Sequence, residues 1–133
     1  MFKKVCIIGC GLIGSSLARA IKKNNLAKKV VSSNRSDNTN NKVIKLNIVD
    51  DSSSDTKKMA IGSDLIIIAA PLSSYEDIIL KIKDCLNNGV ILTDVGSVKE
   101  NIMNIVEKSI PKDISWIPSH PIAGTEESGP EAG

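Results

Sequence analysis

The only histidine of the chain, His120, stands in the run Ser119-His120-Pro121-Ile122-Ala123-Gly124-Thr125-Glu126-Glu127-Ser128-Gly129. An imidazole is the side chain best matched to proton transfer near neutral pH. Pro121 restricts the residue before it to extended backbone, which fixes where that ring points. Far upstream, Gly9-Cys10-Gly11-Leu12-Ile13-Gly14 fits the spacing G-x-G-x-x-G. In such a run Gly9 permits a tight turn, Gly11 lets a pyrophosphate approach the backbone, and Gly14 lets a helix pack close to a strand. The helix N-terminus beginning at Leu12 and Ile13 then offers amide donors and a partial positive charge to phosphates. A cofactor cradle and a titratable group in one chain make the pairing expected of an oxidoreductase.

A dinucleotide-binding turn of this kind is usually followed, about twenty residues on, by an acid that holds the ribose hydroxyls. This chain has Asn34-Arg35-Ser36 there instead. With no carboxylate to repel a 2′-phosphate, and with Arg35 beside the hydroxyls of Ser33 and Ser36, the site is expected to take NAD(P) with a lean towards NADP. Arg35 could equally stack on adenine or point to solvent. Ala70 and Pro71, at the end of a later strand, are counted with Gly9, Gly11, Leu12, Ile13, Gly14, Asn34, Arg35 and Ser36 as the cofactor-binding set.

Asp94-Val95-Gly96-Ser97-Val98-Lys99 follows one strand and opens a helix, so it lies at the carboxyl edge where open α/β sheets bind ligands. Ser97 can cap that helix, point into the cleft, or do both. No close cysteine pairs suggest a metal site, and none is expected. Cys6, Cys10 and Cys85 lie in or beside apolar segments and read as reduced, buried thiols.

The elements that must position these residues alternate along the chain. Val5–Ile8 is a buried strand, and Ile13, Leu17, Ala18 and Ile21 recur at helical spacing behind it. Val30-Val31 is a second strand, followed by a polar loop over 34–42 that runs into a short, weak helix. The run 52–55 offers N-caps for a brief helix ending at Gly62, and 65–70 is the clearest buried strand, ended by Pro71. Ser74 and Asp77 open a helix whose inward face is Ile78, Ile79, Ile82 and Leu86, stopped by Asn87-Asn88-Gly89. Val90–Thr93, a helix marked by Ile102, Ile105 and Val106, and a strand over 115–117 complete the order. Strand-helix alternation predicts an α/β domain: a Rossmann-type, doubly wound, mostly parallel sheet with helices on both faces.

At 133 residues and 14.2 kDa the chain makes one domain, small for an enzyme that must enclose both dinucleotide and substrate. Its net charge of +2 comes from interspersed lysines and acids, and it has one Phe, one Trp and one Tyr. Neither a nucleic-acid surface nor a membrane surface fits that composition. No apolar run has the length of a signal core or a membrane span, so a cytoplasmic protein is expected.

Three segments together, Gly9–Gly14, Thr93-Asp94-Val95-Gly96-Ser97-Val98-Lys99 and His120-Pro121-Ile122-Ala123-Gly124-Thr125-Glu126, closely resemble the prephenate/arogenate dehydrogenase family of tyrosine biosynthesis. The resemblance runs along essentially the whole chain. It implies oxidative decarboxylation: a cyclohexadienyl substrate, prephenate or arogenate, gives hydride to NAD(P), loses carbon dioxide and becomes a phenol. By that resemblance neutral His120 accepts a hydrogen bond from the ring hydroxyl and draws its proton, while Ser97 orients both His120 and that hydroxyl. Glu126 matches a family acid at the pocket edge.

Family members continue with more of the nucleotide-binding domain and then a helical domain that dimerises and supplies a cation to the substrate carboxylate. Ending at Gly133, the chain is expected to be a C-terminally incomplete fragment or a short relative without that domain, a homodimer only in a full-length form. Two other readings remain open. One is a dehydrogenase of the β-hydroxyacid type, against which the His-Pro-Ile-Ala-Gly run argues. The other is a nucleotide-binding module without catalysis.

Overall fold

The structure is a computed structural model that describes residues 1–97, 99–121 and 128–133. Its strands are β1 (Phe2–Ile8), β2 (Ala27–Ser33), β3 (Asp51–Ser53), β4 (Leu65–Ile68), β5 (Ile91–Asp94) and β6 (Ser115–Pro118). Between them run α1 (Leu12–Lys23), α2 (Asp37–Lys45), α3 (Thr56–Ala60), α4 (Tyr75–Ile82) and α5 (Lys99–Ser109). The strands form one sheet in the order β3-β2-β1-β4-β5-β6, with every pairing parallel. That order is the doubly wound, Rossmann-type arrangement, in which the chain reverses direction of travel across the sheet between β1 and β4.

The continuous apolar reading of β1 and β4 follows from burial on both faces, because the period of two sends alternate side chains to opposite sides. Val5, Ile7, Val30 and Ile67 pack with Ala18 and Ile21 of α1 and Val43 of α2. Cys6, Ile8, Ile66, Ile68 and Leu92 face the other way, onto Ile78, Ile79 and Ile82 of α4 and Ile102 and Val106 of α5. The expected inward faces of α1, α4 and α5 are thus the faces that are buried. Leu86 packs at the margin of the second cluster, only partly covered.

Three local expectations are corrected. Asp51–Ser53 is a strand, β3, where only a helix cap was anticipated; it contains no apolar residue, and it holds by pairing with β2 and by a 2.7 Å hydrogen bond between the Ser32 and Ser52 hydroxyls. Of the 52–55 caps, Asp55 is the one used, accepting from the Lys58 amide at 3.0 Å to start α3. The loop over 34–42 is shorter than expected, since α2 begins at Asp37 with Ser36 accepting from the Thr39 amide. Finally, Ser74 does stand at the N-cap of α4, with Asp77 in the first turn as expected, but its side chain makes no cap bond, and Leu72–Ser74 form a 3-10 turn ahead of it.

Candidate active site

The carboxyl ends of β1, β2, β4, β5 and β6 open onto one cleft of about 990 Å³. It is lined at its base by Gly9, Gly11 and Ile13, on one side by Ser33–Ser36 with Thr39, Ser54 and Thr56, and on the other by Ala69–Ser74, Val95–Ser97, His120 and Pro121. The glycine run, the Asn34-Arg35-Ser36 segment, Ala70, Pro71, Ser97 and His120, scattered over the sequence, therefore share a single concavity. Glu126 lies outside the described residues. Leu12 and Gly14 are not among the lining residues.

The three glycines have distinct physical roles. Gly9 has φ +97°, a left-handed conformation that side chains disfavour, and a Cβ there would meet the Ala69 carbonyl oxygen at 2.6 Å. A Cβ on Gly14 would meet backbone as well, while Gly11 has nothing within 4 Å of where a Cβ would be. The space beside Gly11 is open cleft. No side chain caps α1, whose first turn holds no acid and whose last turn carries Lys22 and Lys23. Such an end leaves backbone amides and the positive pole of the helix for an anion.

Asn34 has a different task from the one its position suggests. Its Oδ1 accepts from the Cys10 amide at 2.6 Å, and its Nδ2 donates to Ser32 Oγ, Asn40 Oδ1 and Ser52 Oγ at 3.2, 3.0 and 3.3 Å. Asn40 Nδ2 in turn donates to the Asn34 carbonyl at 3.0 Å, and the Ser52 hydroxyl donates to Asn40 Oδ1 at 2.6 Å. The Asn34 side chain, counted with the cofactor-binding set, is buried beside the cleft and ties the glycine turn to β2, β3 and α2. Ser36 is occupied as the cap of α2, and Ser33 Oγ bonds Thr56 Oγ1 at 3.0 Å. Arg35 is exposed at the cleft. Among the described lining residues the one carboxylate is Asp77, on α4, which pairs with Lys81 at 2.6 Å.

The ends of β5 and β6 are clasped together beside Ser97 and His120. Asp94 is fully buried. Its Oδ2 accepts from the Gly96 amide at 2.8 Å and from the Tyr75 hydroxyl at 3.4 Å, and its Oδ1 accepts from the Ser119 amide at 3.4 Å. The Ser119 hydroxyl donates to the Asp94 carbonyl, and Thr93 Oγ1 donates to the Ile117 carbonyl at 2.6 Å. Burial first, and then the Asp94 carboxylate, raise the Tyr75 phenol above its usual range, so it stays a donor. Sequence reasoning named Asp94 and Ser119 only as members of their runs, and gave neither them nor Tyr75 a role; an acid at the last position of a buried strand was the available signal, since a carboxylate taken out of water requires partners.

Burial pushes the Cys6 thiol up to about 12 and raises that of Cys10. Both are buried and free, as expected, whereas Cys85 is half-exposed.

Comparison with known proteins gives the architecture its family. The sequence model described as the prephenate dehydrogenase nucleotide-binding domain matches residues 17–133. A cyclohexadienyl dehydrogenase of Zymomonas mobilis is 35% identical over all of this chain and 45% of its own length. A prephenate dehydrogenase of Lactococcus lactis is 36% identical over 96% of this chain and 36% of its own. Among solved structures, Aquifex aeolicus prephenate dehydrogenase in complex with hydroxyphenyl propionate and NAD+ superimposes with a TM-score of 0.82 at 25% identity, covering 98% of this chain and 46% of that one. Synechocystis arogenate dehydrogenase does so with a TM-score of 0.86 at 26% identity, covering 97% and 44%. The chain spans less than half the length of these relatives. On the matched sequence, the sheet order and the cleft together, it belongs to the family of prephenate dehydrogenase nucleotide-binding domains.

Proposed function

We propose that this chain is the cofactor-binding part of an NAD(P)-dependent dehydrogenase that converts prephenate or arogenate to a phenol with loss of carbon dioxide. The observation that carries the reading is the single cleft shared by the glycine turn, Ser97 and His120. The open space at Gly11 and the uncapped start of α1 fit a pyrophosphate. Gly9, Gly11 and the first amides of α1 would hold it, with Ala70 and Pro71 along the same wall. When bound, the nicotinamide supplies the hydride acceptor.

The chain's own residues do the rest. His120 draws the proton of the substrate ring hydroxyl as the carbon bearing it is oxidised, and Ser97 orients that hydroxyl. The ring carboxyl leaves as carbon dioxide, its bonding electrons entering the ring as it becomes aromatic. Glu126 belongs to the same set by resemblance. A helical domain following this one would complete the substrate pocket and the dimer.

Arg35 and the hydroxyl-lined side of the cleft support NADP over NAD, because none of the described residues that line that side is a carboxylate able to repel a 2′-phosphate. The test is calorimetric titration of the chain with NADP+ and NAD+, followed by prephenate or arogenate with absorbance read for reduced cofactor. Dinucleotide binding, tighter for NADP+, is expected. Failure of both dinucleotides to bind overturns the reading. Equal binding overturns the NADP preference alone, and binding without reduction assigns this chain the cradle and leaves turnover to a longer form.

A further inference from the structure

Ser97 and His120 belong to different loops, and neither loop is held by the apolar core alone. Each is preceded by a residue whose amide donates to the same buried carboxylate: Gly96 to Asp94 Oδ2 at 2.8 Å, and Ser119 to Asp94 Oδ1 at 3.4 Å. A third donor, the Tyr75 hydroxyl, reaches Oδ2 from α4 and also donates to the Ile68 carbonyl at 3.3 Å. The packing leaves little freedom around that point. A Cβ on Gly96 would lie 2.7 Å from Ile102 Cδ1, and 3.0 Å from both Asp94 Oδ2 and the Tyr75 oxygen.

We propose that Asp94 is a positioning residue, whose two carboxylate oxygens set the loop of Ser97 and the loop of His120 in fixed relation on one side of the cleft. The proposal rests on the reading of Ser97 and His120 as the reacting pair. Its physical basis is that a carboxylate only accepts, and can take bonds on both oxygens at once, whereas an amide of the same shape has one accepting oxygen. Asp94→Asn must turn an NH₂ group towards one of the donors. Through one residue of backbone on each side, that error displaces Ser97, His120 or both. Displacements of this size matter to a reaction that depends on aligned groups.

Because His120 is the only histidine, its ring gives a single, unambiguous magnetic-resonance signal. The experiment compares that signal, and the Gly96 and Ser119 amides, in the whole chain and in Asp94→Asn without ligand, with the Val30 and Ser52 amides of β2 and β3, at the other side of the sheet, as controls. The expected result is movement of the His120 ring, Gly96 and Ser119 signals while Val30 and Ser52 stay in place. Tyr75→Phe is the second variant, leaving both loops unchanged in sequence and removing the side-chain donor that holds Asp94 Oδ2 from α4. It should move the Gly96 and His120 ring signals, and it decides the question if Asp94→Asn does not fold. A His120 signal unchanged in every variant that folds overturns the proposal. Adding NADP+ to the native chain separates the two ideas: no response to the dinucleotide sinks the functional reading, while the ligand-free comparison still decides the role of Asp94.

Discussion

A Cβ on Gly14 would stand 1.9 Å from the carbonyl oxygen of Gly9, so the first turn of α1 rests directly on the backbone at the end of β1. Only backbone movement could relieve that overlap. Gly14→Ala is therefore expected to cost about 1–3 kcal/mol of stability or more, read as a lower denaturation midpoint in urea. Gly11 provides the contrast, with an ordinary φ of −76° and open space beside it. Gly11→Ala should leave stability within about 0.5 kcal/mol while weakening NADP+ and NAD+ together. If Gly11→Ala bound both dinucleotides like the native chain, the pyrophosphate would not lie against this turn.

Asn34 and Arg35 are neighbours in sequence with opposite expected behaviour. Asn34→Ala removes the acceptor of the buried Cys10 amide and strands several hydroxyl and amide partners. A buried donor left without a partner costs about 1–3 kcal/mol, so both stability and dinucleotide affinity should fall. Arg35→Ala should leave the melting temperature nearly unchanged. Its effect should appear as a loss of roughly tenfold or more in NADP+ affinity with NAD+ affinity kept, as expected for one charged hydrogen bond. Parallel thermal melts and calorimetric titrations of the two variants separate these outcomes.

Alkaline pH should unfold the chain by a route that runs through its core. The Cys6 thiol, ordinarily near 9.0, is raised to about 12 by burial, which means that the fold favours the protonated form. For a group raised on folding, the stability it contributes is complete below its unfolded value and lost as pH climbs towards the folded one. The window is therefore pH 9 to 12, with a loss on the order of 4 kcal/mol from this thiol and a further loss in the same direction from Tyr75. Denaturation midpoints measured across that range should fall in the native chain and fall less in Cys6→Ala. A flat profile would contradict the assigned cause.

The thiols themselves should differ in reactivity. Cys6 and Cys10 are buried and Cys85 is half-exposed, so alkylation of the folded chain should modify Cys85 first, and the other two only at the rate of unfolding. Mass spectrometry of timed samples reads the order directly.

Much of this architecture was legible in the residues because burial on two faces writes continuous apolar runs, as at 65–68, and helices over a core write periodic ones, as at Ile78, Ile79 and Ile82. The glycine turn was legible because sterics leave few substitutes at Gly9 and Gly14. What escaped was held by polar groups. β3 has no apolar residue to announce it, and the inward turn of Asn34 depends on partners at Ser32, Asn40 and Ser52 that only the folded sheet brings together. The Asp94 clasp escaped for the same reason, since Tyr75 and Ser119 are remote from it in sequence.

The serine- and asparagine-built seam between β2 and β3 has an energetic consequence for how the cleft breathes. Segments anchored by few apolar contacts open at lower free energy than the global fold. Backbone amides of β3 and of the start of α2 should exchange with solvent deuterium well before those of β1 and β4. A dinucleotide that fills this side must close the seam as it binds, so part of its intrinsic affinity is consumed in ordering protein, and exchange there should slow more than anywhere else once the cleft is full.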